Sequence, residues 1–176
     1  MQKKSSEYYQ PAEDTLFLAE HIRKERGKTA LDMGAGIGFL ARILSGSFEL
    51  VVATDIDFNI LKKAHEIVGN CICCNASDAL ACTFDLVVCN PPYLPSEEML
   101  DPAVDGLKEG IDVPLKMIRS ASKVLRKKGK LIYLTSSLAN FSDLIDKTAE
   151  LGFSTRILAK KKLFFEELIL VECLKS

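Results

Sequence analysis

The stretch that decides the fold is Leu31-Asp32-Met33-Gly34-Ala35-Gly36-Ile37-Gly38-Phe39, an apolar run that enters a turn with three glycines. The run up to Met33 predicts a buried strand, and the residues from Phe39 onward predict a helix. The glycines allow positive φ values and let a ligand approach the backbone closely. The first amides of the helix are free to bind an anionic group. The stretch therefore predicts a ligand-binding turn, which taken alone fits several nucleotide-type cofactors.

Strand and helix patterns alternate along the rest of the chain. Apolar and β-branched runs predict strands at 29–33, 50–54, 71–74, 84–89 and 130–135, with two more on either side of Lys160-Lys161-Lys162. Amphipathic stretches predict helices at 12–26, 39–44, 59–68, 112–128 and 141–151. This alternation predicts an α/β fold with a doubly wound, mostly parallel sheet of seven strands. The last two strands have only a short basic connection, so we expect an antiparallel hairpin with the lysines in its turn.

A long stretch without a clear pattern separates the fourth strand from the fourth helix. It runs from Leu94 to Ile111, longer than a typical connection, so we expect a functional loop. Asp112 is expected to cap the helix that follows, and Arg126-Lys127-Lys128 lies where cations complement a helix C-terminus. Because the sequence shows no internal repeat and no linker, we expect residues 1–176 to form a single domain.

The length and charge of the chain limit the classes of function. With 176 residues it has room for one domain and no large appended recognition module. A net charge of −1 gives no overall attraction to nucleic acid or to an anionic membrane. No apolar stretch is long enough to span a membrane, and no apolar segment follows the N-terminal lysines as it would in a secretory signal. We therefore expect a cytoplasmic protein.

The six cysteines are expected to be free thiols in a reducing compartment. Cys71 and Cys74 form a C-x-x-C pair, but no second pair supplies the remaining ligands of a zinc site. The two histidines, His21 and His65, are not spaced to complete one. We therefore predict no metal.

Acidic residues around the glycine turn narrow the choice of cofactor. Asp55 ends the second strand about 21 residues after Gly34, where an acid accepts hydrogen bonds from both ribose hydroxyls of an adenosine. The glycine spacing is G-x-G-x-G rather than the G-x-G-x-x-G of NAD sites. Asp32 can hold an ammonium group, which S-adenosylmethionine carries and nicotinamide cofactors lack. Asp78 is placed to reach the adenine amino group, with a turn-forming role equally open. For Asp57 a helix cap is the better interpretation.

The second candidate site is Asn90-Pro91-Pro92-Tyr93, directly after the fourth strand and therefore at the carboxyl edge of the sheet. A planar NH₂ nitrogen is a poor nucleophile because its lone pair is delocalised. The Asn90 side-chain oxygen and the Pro91 carbonyl can accept its hydrogens and orient the lone pair toward a methyl sulfonium. The two prolines stiffen that carbonyl, and Tyr93 can stack on a planar amide or base. Catalysis of this kind is mainly positioning and desolvation, with no general base needed before transfer.

These motifs together resemble the class I S-adenosylmethionine-dependent methyltransferases that modify exocyclic or amide nitrogens, whose fold is Rossmann-like. The segment Tyr9-Gln10-Pro11-Ala12-Glu13-Asp14-Thr15 resembles the Y-x-P-x-E-D-[ST] signature of the HemK-like branch of eukaryotes and archaea. That branch methylates N5 of the glutamine in the Gly-Gly-Gln motif of class I translation release factors. The likeness covers nearly the whole chain, and the stretch from Asp105-Gly106 to Gly110 resembles the Gly-rich segment of the family.

The resemblance implies a role for individual residues. Four would be catalytic: Asn90, Pro91, Pro92 and Tyr93. The residues expected to contact the cofactor are Thr15, Asp32, Gly34, Ala35, Gly36, Gly38, Asp55, Ile56, Asp78 and Asn90. Those expected to bind the substrate are Tyr9, Pro11, Glu13, Asp14, Asn90 and Tyr93. Residues 1–27 would cover the site, and Glu13 and Asp14 are also explained simply as acids of a first helical turn.

The resemblance also implies a partner. Short members of the branch pair with a small zinc-binding activator subunit through the edge strand of the sheet. The corresponding segment here, Cys71-Ile72-Cys73-Cys74, is apolar and carries no charge or proline, which is unusual for a free edge. We therefore expect this edge to bind such a subunit.

Other functions remain open from the sequence. An adenine-N6 or guanine-N2 methyltransferase of DNA or RNA is the main alternative, because the same Asn-Pro-Pro-aromatic arrangement serves those amines. A lysine-directed enzyme would first have to remove a proton from an ammonium group. A non-enzymatic protein that keeps the fold only to bind the cofactor would not need an intact Asn90-Pro91-Pro92-Tyr93.

Overall fold

Nine strands and five α-helices make up the computed structural model, which describes residues 11–98 and 101–176. The strands are β1 (Gly27–Met33), β2 (Phe48–Asp55), β3 (Cys71–Cys73), β4 (Phe84–Cys89), β5 (Leu94–Pro95), β6 (Asp105–Leu107), β7 (Leu125–Ser136), β8 (Phe153–Lys162) and β9 (Glu167–Lys175). The helices are α1 (Glu13–Ile22), α2 (Phe39–Leu44), α3 (Phe58–His65), α4 (Asp112–Val124) and α5 (Phe141–Glu150), with a 3₁₀ turn at Lys108–Gly110. No helix in these two ranges is long and apolar enough to cross a membrane.

Seven of the strands form one sheet in the order β3-β2-β1-β4-β7-β9-β8. The first five are parallel, and β9 runs antiparallel to both β7 and β8. This is the predicted doubly wound α/β sheet with a C-terminal antiparallel hairpin, and the prediction is confirmed. The strand order reverses between β1 and β4, and such a switch point opens a crevice at the carboxyl ends of the strands.

Both faces of the sheet are buried, which explains why its strands read as continuous apolar runs. On one face, Met33, Val87 and Tyr133 pack in a cluster with residues of α4 and α5. On the other face, Val88 and Ile132 pack in a second cluster with residues of α1 and α2. The central strands β1 and β4 are thereby fixed from both sides, and the residues at their carboxyl ends are held on a rigid frame.

Several element boundaries differ from the sequence predictions. Asp112 is the first residue of α4 rather than its cap; the cap position is Ile111, and no side chain caps the helix. The segment Arg126-Lys127-Lys128 lies at the start of β7 instead of ending the helix, because the backbone turns to an extended conformation at Leu125. Helix α1 ends at Ile22 rather than at residue 26.

Two further differences concern the loops. Lys160-Lys161-Lys162 ends β8 instead of forming the hairpin turn, because all three lysines pair with β9, opposite Ile169, Leu168 and Glu167. The turn lies at 163–166. The stretch expected to be irregular, 94–111, contains the short parallel pair β5–β6.

Candidate active site

The glycine turn after β1 is tied to the end of the neighbouring strand. The amides of Gly34 and Ala35 both donate to the carbonyl of Thr54, each at 2.9 Å. Gly36 has a φ of 53°, and a Cβ added there would meet no atom within 4 Å, so this position borders open space. A Cβ on Gly38 would lie 3.1 Å from Cβ of Ala64, so that glycine lets α3 approach. The turn therefore presents bare backbone at Gly36 to the crevice.

Asp55 connects β2 to this turn. Its Oδ2 accepts a hydrogen bond from the amide of Gly36 at 2.8 Å, and its Oδ1 accepts one from the amide of Asp57 at 2.9 Å. Each carboxylate oxygen keeps a free lone pair, so the side chain can still accept hydroxyl donors. Asp57 caps α3 by accepting from the amide of Asn59 at 2.8 Å, which confirms its predicted role. Ile56, between the two acids, is 70% exposed, and its predicted contact with the cofactor stays a prediction.

Asp32 is a buried carboxyl at the end of β1. Its Oδ2 accepts a hydrogen bond from the amide of Ala41 at 2.8 Å, whereas Oδ1 has no partner among the residues described. Burial raises the pKa of Asp32 to about 7. The hydrogen bond from Ala41 lowers this pKa in part, and the negative charge of Asp55 raises it further. A buried carboxyl with a free oxygen is stabilised by a cation. This is the property expected of a group that holds an ammonium.

The Asn90 amide after β4 is held in one orientation by residues of α1. Its Nδ2 donates to Oδ2 of Asp14 and to Oγ1 of Thr15, each at 3.2 Å. A carboxylate only accepts hydrogen bonds, so this contact requires the NH₂ group to face Asp14. The opposite atom, Oδ1, is buried and has no hydrogen-bond partner in the described part of the chain. Asn90 thus offers an unused acceptor.

Next to this acceptor lies a small cavity of about 80 Å³, lined by Asp14, Asn90, Pro91, Pro92, Tyr93, Leu94, Ala103 and Val104. Since a water molecule occupies about 30 Å³, the cavity has room for roughly the volume of a carboxamide group. Tyr93 is 8% exposed, and burial together with the charges of Asp14 and Glu166 raises its pKa well above the ordinary value. The ring is therefore a neutral, fixed wall of the cavity.

The comparisons with known proteins agree with this geometry. Residues 12–164 match the family model of the methyltransferase small domain. The chain belongs to this methyltransferase family. A Methanocaldococcus jannaschii protein assigned as a protein N5-glutamine methyltransferase is 32% identical over 178 residues, covering 94% of this chain and 90% of that protein.

Two further similarities bear on the kind of methyltransferase. The structure of the E. cuniculi Mtq2–Trm112 complex, described as responsible for methylation of the eRF1 translation termination factor, has a TM-score of 0.81 and 27% identity. The likeness covers 96% of this chain and 98% of that one. Ribosomal RNA small subunit methyltransferase C of Serratia proteamaculans is 28% identical over 76% of this chain, which spans 38% of that protein.

The residues at the crevice of this methyltransferase fit S-adenosylmethionine as the methyl donor. Gly36 leaves space for the cofactor to contact the protein backbone. Asp55 can accept hydrogen bonds from the ribose hydroxyls, and Asp32 has an oxygen free to bind a cation. The glycine turn, Asp55, Asn90 and the pair Asp14-Thr15 converge here from β1, β2, β4 and the start of α1. Within the described residues no group of three or more His, Cys, Asp or Glu side chains could hold a metal ion, and all six cysteines are free thiols.

Four residues predicted to bind the cofactor or the substrate of the methyltransferase are not placed in the site by the structure. Asp78 is exposed and its amide donates to the carbonyl of Asn75 in a turn, which agrees with the turn-forming alternative. Glu13 is exposed in the first turn of α1. Pro11 is half-buried just before that helix, and Tyr9 lies outside the described residues. The roles of these four residues stay predictions.

The Gly-rich segment of the methyltransferase supports Tyr93 from behind, a contact that the sequence alone does not reveal. The amide of Leu94 donates to the carbonyl of Val104 at 2.9 Å. Gly110 has a φ of 71°, and a Cβ added there would lie 2.2 Å from the carbonyl oxygen of Tyr93. Gly110 therefore lets the chain pass directly behind the turn Asn90-Pro91-Pro92-Tyr93.

We expect Gly110→Ala to displace this turn. The clash with the Tyr93 carbonyl and the positive φ should together lower the free energy of unfolding by about 2 kcal/mol or more and should reduce kcat. Gly69→Ala is the matched control, because a Cβ at Gly69 meets nothing within 4 Å. Denaturant unfolding and methyl transfer measure the two effects. Equal behaviour of the two variants would contradict the supporting role of Gly110.

Proposed function

We propose that the chain transfers the methyl group of S-adenosylmethionine to N5 of the glutamine in the Gly-Gly-Gln motif of a class I translation release factor. The observation that carries this proposal is the Asn90 amide, whose NH₂ group is fixed by Asp14 and Thr15 and whose oxygen is buried and unused among the described residues. A planar NH₂ group is the complement of that acceptor. The similarity to a protein assigned as an N5-glutamine methyltransferase supports the choice of a glutamine side chain.

The residues of the chain act by positioning the acceptor. Asn90 Oδ1 and the Pro91 carbonyl accept the two hydrogens of the carboxamide, which turns the nitrogen lone pair toward the methyl donor. S-Adenosylmethionine, when bound, supplies a methyl group on a positively charged sulfur. Tyr93 stacks on the amide plane, and the buried surroundings exclude water. The proton leaves after transfer, so a strong base is not required beforehand, and the rate gain comes from orientation and desolvation.

Acidic side chains near the reaction site favour a protein over a polynucleotide. Asp14 and Glu166 face Tyr93 closely enough to raise its pKa. A cavity of about 630 Å³ borders the segment that follows Tyr93 and Leu94, and its charged lining residues are Glu97, Lys108, Glu109 and Asp112. Three of these four are acids, and acidic groups repel the phosphate backbone that dominates nucleic-acid affinity. The similarity to ribosomal RNA methyltransferases keeps a base amine as the second candidate.

The test offers labelled S-adenosylmethionine together with three acceptors, in the presence of the partner subunit proposed below. The acceptors are a release factor with Gly-Gly-Gln, the same protein with Gly-Gly-Ala, and oligonucleotides. We expect label only in the Gly-Gly-Gln protein. Label in nucleic acid and none in the Gly-Gly-Gln protein would overturn the proposal.

We further propose that the β3 edge binds a small zinc-binding activator subunit. Strand β3 pairs with β2 on one side and with no strand on the other among the described residues. Nearby, Ile60 and Ile67 are 37% and 46% exposed. The Mtq2–Trm112 structure supports a partner of this kind. The proposal fails if the chain alone is monodisperse and fully active.

Cys73 provides a sharp test of strand addition. The amide of Cys74 donates inward to the carbonyl of Asp55 at 3.0 Å, so the amide of Cys73 points to the free edge. We expect Cys73→Pro to remove that donor, keep the pairing with β2, and weaken partner binding about tenfold or more. Cys73→Ser keeps the amide and is the control. Sedimentation with the activator subunit measures both, and binding of Cys73→Pro equal to that of Cys73→Ser would exclude strand addition at this edge.

A further inference from the structure

The turn between β8 and β9 carries two exposed aromatic side chains beside the reaction site. Phe164 is 91% exposed and Phe165 is 84% exposed, and their rings stand edge to face with centroids 4.6 Å apart. An exposed apolar pair of this size lowers solubility unless it has a partner. We define these two residues as the aromatic tip.

The structure holds the aromatic tip in place from both sides. Leu163 packs against the core cluster that includes Tyr93, and its amide donates to the carbonyl of Glu166 at 2.7 Å. Glu167 bonds Ser137 twice: its amide donates to Oγ of Ser137 and its carbonyl accepts from the Ser137 amide, each at 2.9 Å. The turn is therefore fixed to the carboxyl end of β7, and the two phenylalanines point outward from a rigid base.

The aromatic tip lies next to the catalytic turn. The charge of Glu166 contributes to the raised pKa of Tyr93, and Oε2 of Glu166 is buried without a hydrogen-bond partner among the residues described. Glu166, directly after the tip, is therefore close to Tyr93, which lines the acceptor cavity, while the rings of the tip face solvent. A molecule that delivers an acceptor group to Asn90 and extends beyond the cavity has the tip within its reach.

From this arrangement we propose that the aromatic tip docks the body of the substrate protein while its glutamine occupies the cavity at Asn90. This inference rests on the proposed function, since it names the release factor as the occupant. The activator subunit is not the occupant, because β3 and β8 are the opposite ends of the seven-stranded sheet. Aromatic side chains, phenylalanine included, are enriched at protein interfaces relative to the rest of the surface.

A nucleic acid is the less favoured occupant. Lys161 and Lys162 adjoin the tip, and basic residues beside aromatics also occur in single-strand binding sites. The third lysine, Lys160, is paired with Glu167, and the charge of Glu166 acts on Tyr93. A strand whose base reached Asn90 would bring its phosphates close to that carboxylate and to Asp14.

The test is the double variant Phe164→Ser/Phe165→Ser, assayed with the activator subunit on an intact Gly-Gly-Gln release factor and on oligonucleotides. We expect KM for the release factor to rise about tenfold or more, with kcat at saturation within about twofold of wild type. Leu174→Ser is the matched control, an apolar residue 43% exposed at the other end of the same hairpin. Thermal unfolding and the dissociation constant for S-adenosylmethionine should not change in either variant.

Each outcome separates this inference from the function on which it rests. If wild type methylates the release factor and the double variant keeps the same KM, the docking proposal is wrong and the function stands. If wild type labels oligonucleotides and not the release factor, the function fails and the proposed occupant fails with it. A selective loss of oligonucleotide labelling in the double variant would assign the tip to base stacking and overturn the inference.

Discussion

Asn90→Ala is expected to lower methyl transfer by about two to three orders of magnitude, the usual effect of removing one positioned polar group from a reaction site. The variant loses the acceptor that orients the substrate nitrogen, and Asp14 and Thr15 lose their shared donor. Because Asn90 does not hold the glycine turn, the dissociation constant for S-adenosylmethionine should change by less than about fivefold. Single-turnover transfer and equilibrium cofactor binding measure the two quantities.

Two further variants, Asp55→Ala and Asn70→Ala, are compared with Asn90→Ala for their effect on cofactor binding. Asp55→Ala should weaken the cofactor first, because Asp55 holds the Gly36 amide and offers the acceptors for the ribose. Asn70→Ala is the matched control. Asn70 precedes β3, away from the crevice, and the variant loses one hydrogen bond, which its side chain donates to the carbonyl of Val51. Equal losses of cofactor binding in Asn90→Ala and Asp55→Ala would contradict the division of roles between these residues.

The second large effect is a pH dependence of cofactor binding that originates at Asp32. Burial gives this carboxyl a pKa of about 7, so it is protonated below pH 7 in the cofactor-free protein. Since only the ionised carboxyl pairs with an ammonium, affinity for S-adenosylmethionine should fall about tenfold per pH unit below 7, and it should decline again above about pH 8, where the α-amino group of the cofactor loses its proton. Titration calorimetry between pH 5.5 and 8.5 measures this slope.

Asp32→Asn is the variant that isolates this carboxyl. It should bind the cofactor more weakly at pH 8 and with little dependence on pH below 7. The same pKa affects stability: between about pH 4 and 7 the folded protein keeps a proton that the unfolded chain has released. The free energy of unfolding of the cofactor-free protein should therefore decrease as pH rises through this window, and Asp32→Asn should remove that decrease. A wild-type slope retained in the variant would show that another group titrates.

Much of the site could be predicted from the sequence because its residues follow strands. In a parallel sheet the carboxyl ends of neighbouring strands meet at one edge, so the glycine turn, Asp55 and Asn90 had to lie near one another once β1, β2 and β4 were recognised. Their residue types then indicated a cofactor and a planar acceptor. The fold class followed from the same alternation of strands and helices.

What could not be predicted depends on contacts between distant parts of the chain. The orientation of the Asn90 amide is set by Asp14, 76 residues earlier. The position of the hairpin turn depends on the register of β8 on β9, in which the three lysines lie opposite Ile169, Leu168 and Glu167. The proximity of Glu166 to Tyr93 follows from that register. No local pattern reports such pairings, since they form only when the sheet assembles.

The two ends of the main sheet have a consequence for stoichiometry. The β3 end carries no charge on its strand, whereas β8 at the other end carries Arg156 and three consecutive lysines. Lysine-rich edge strands resist pairing with another chain, so the sheet can grow in one direction only. If a partner adds to β3 as proposed, we expect no second copy of this chain to extend the sheet from β8. Assembly should therefore stop at a one-to-one heterodimer rather than proceed to open-ended polymers.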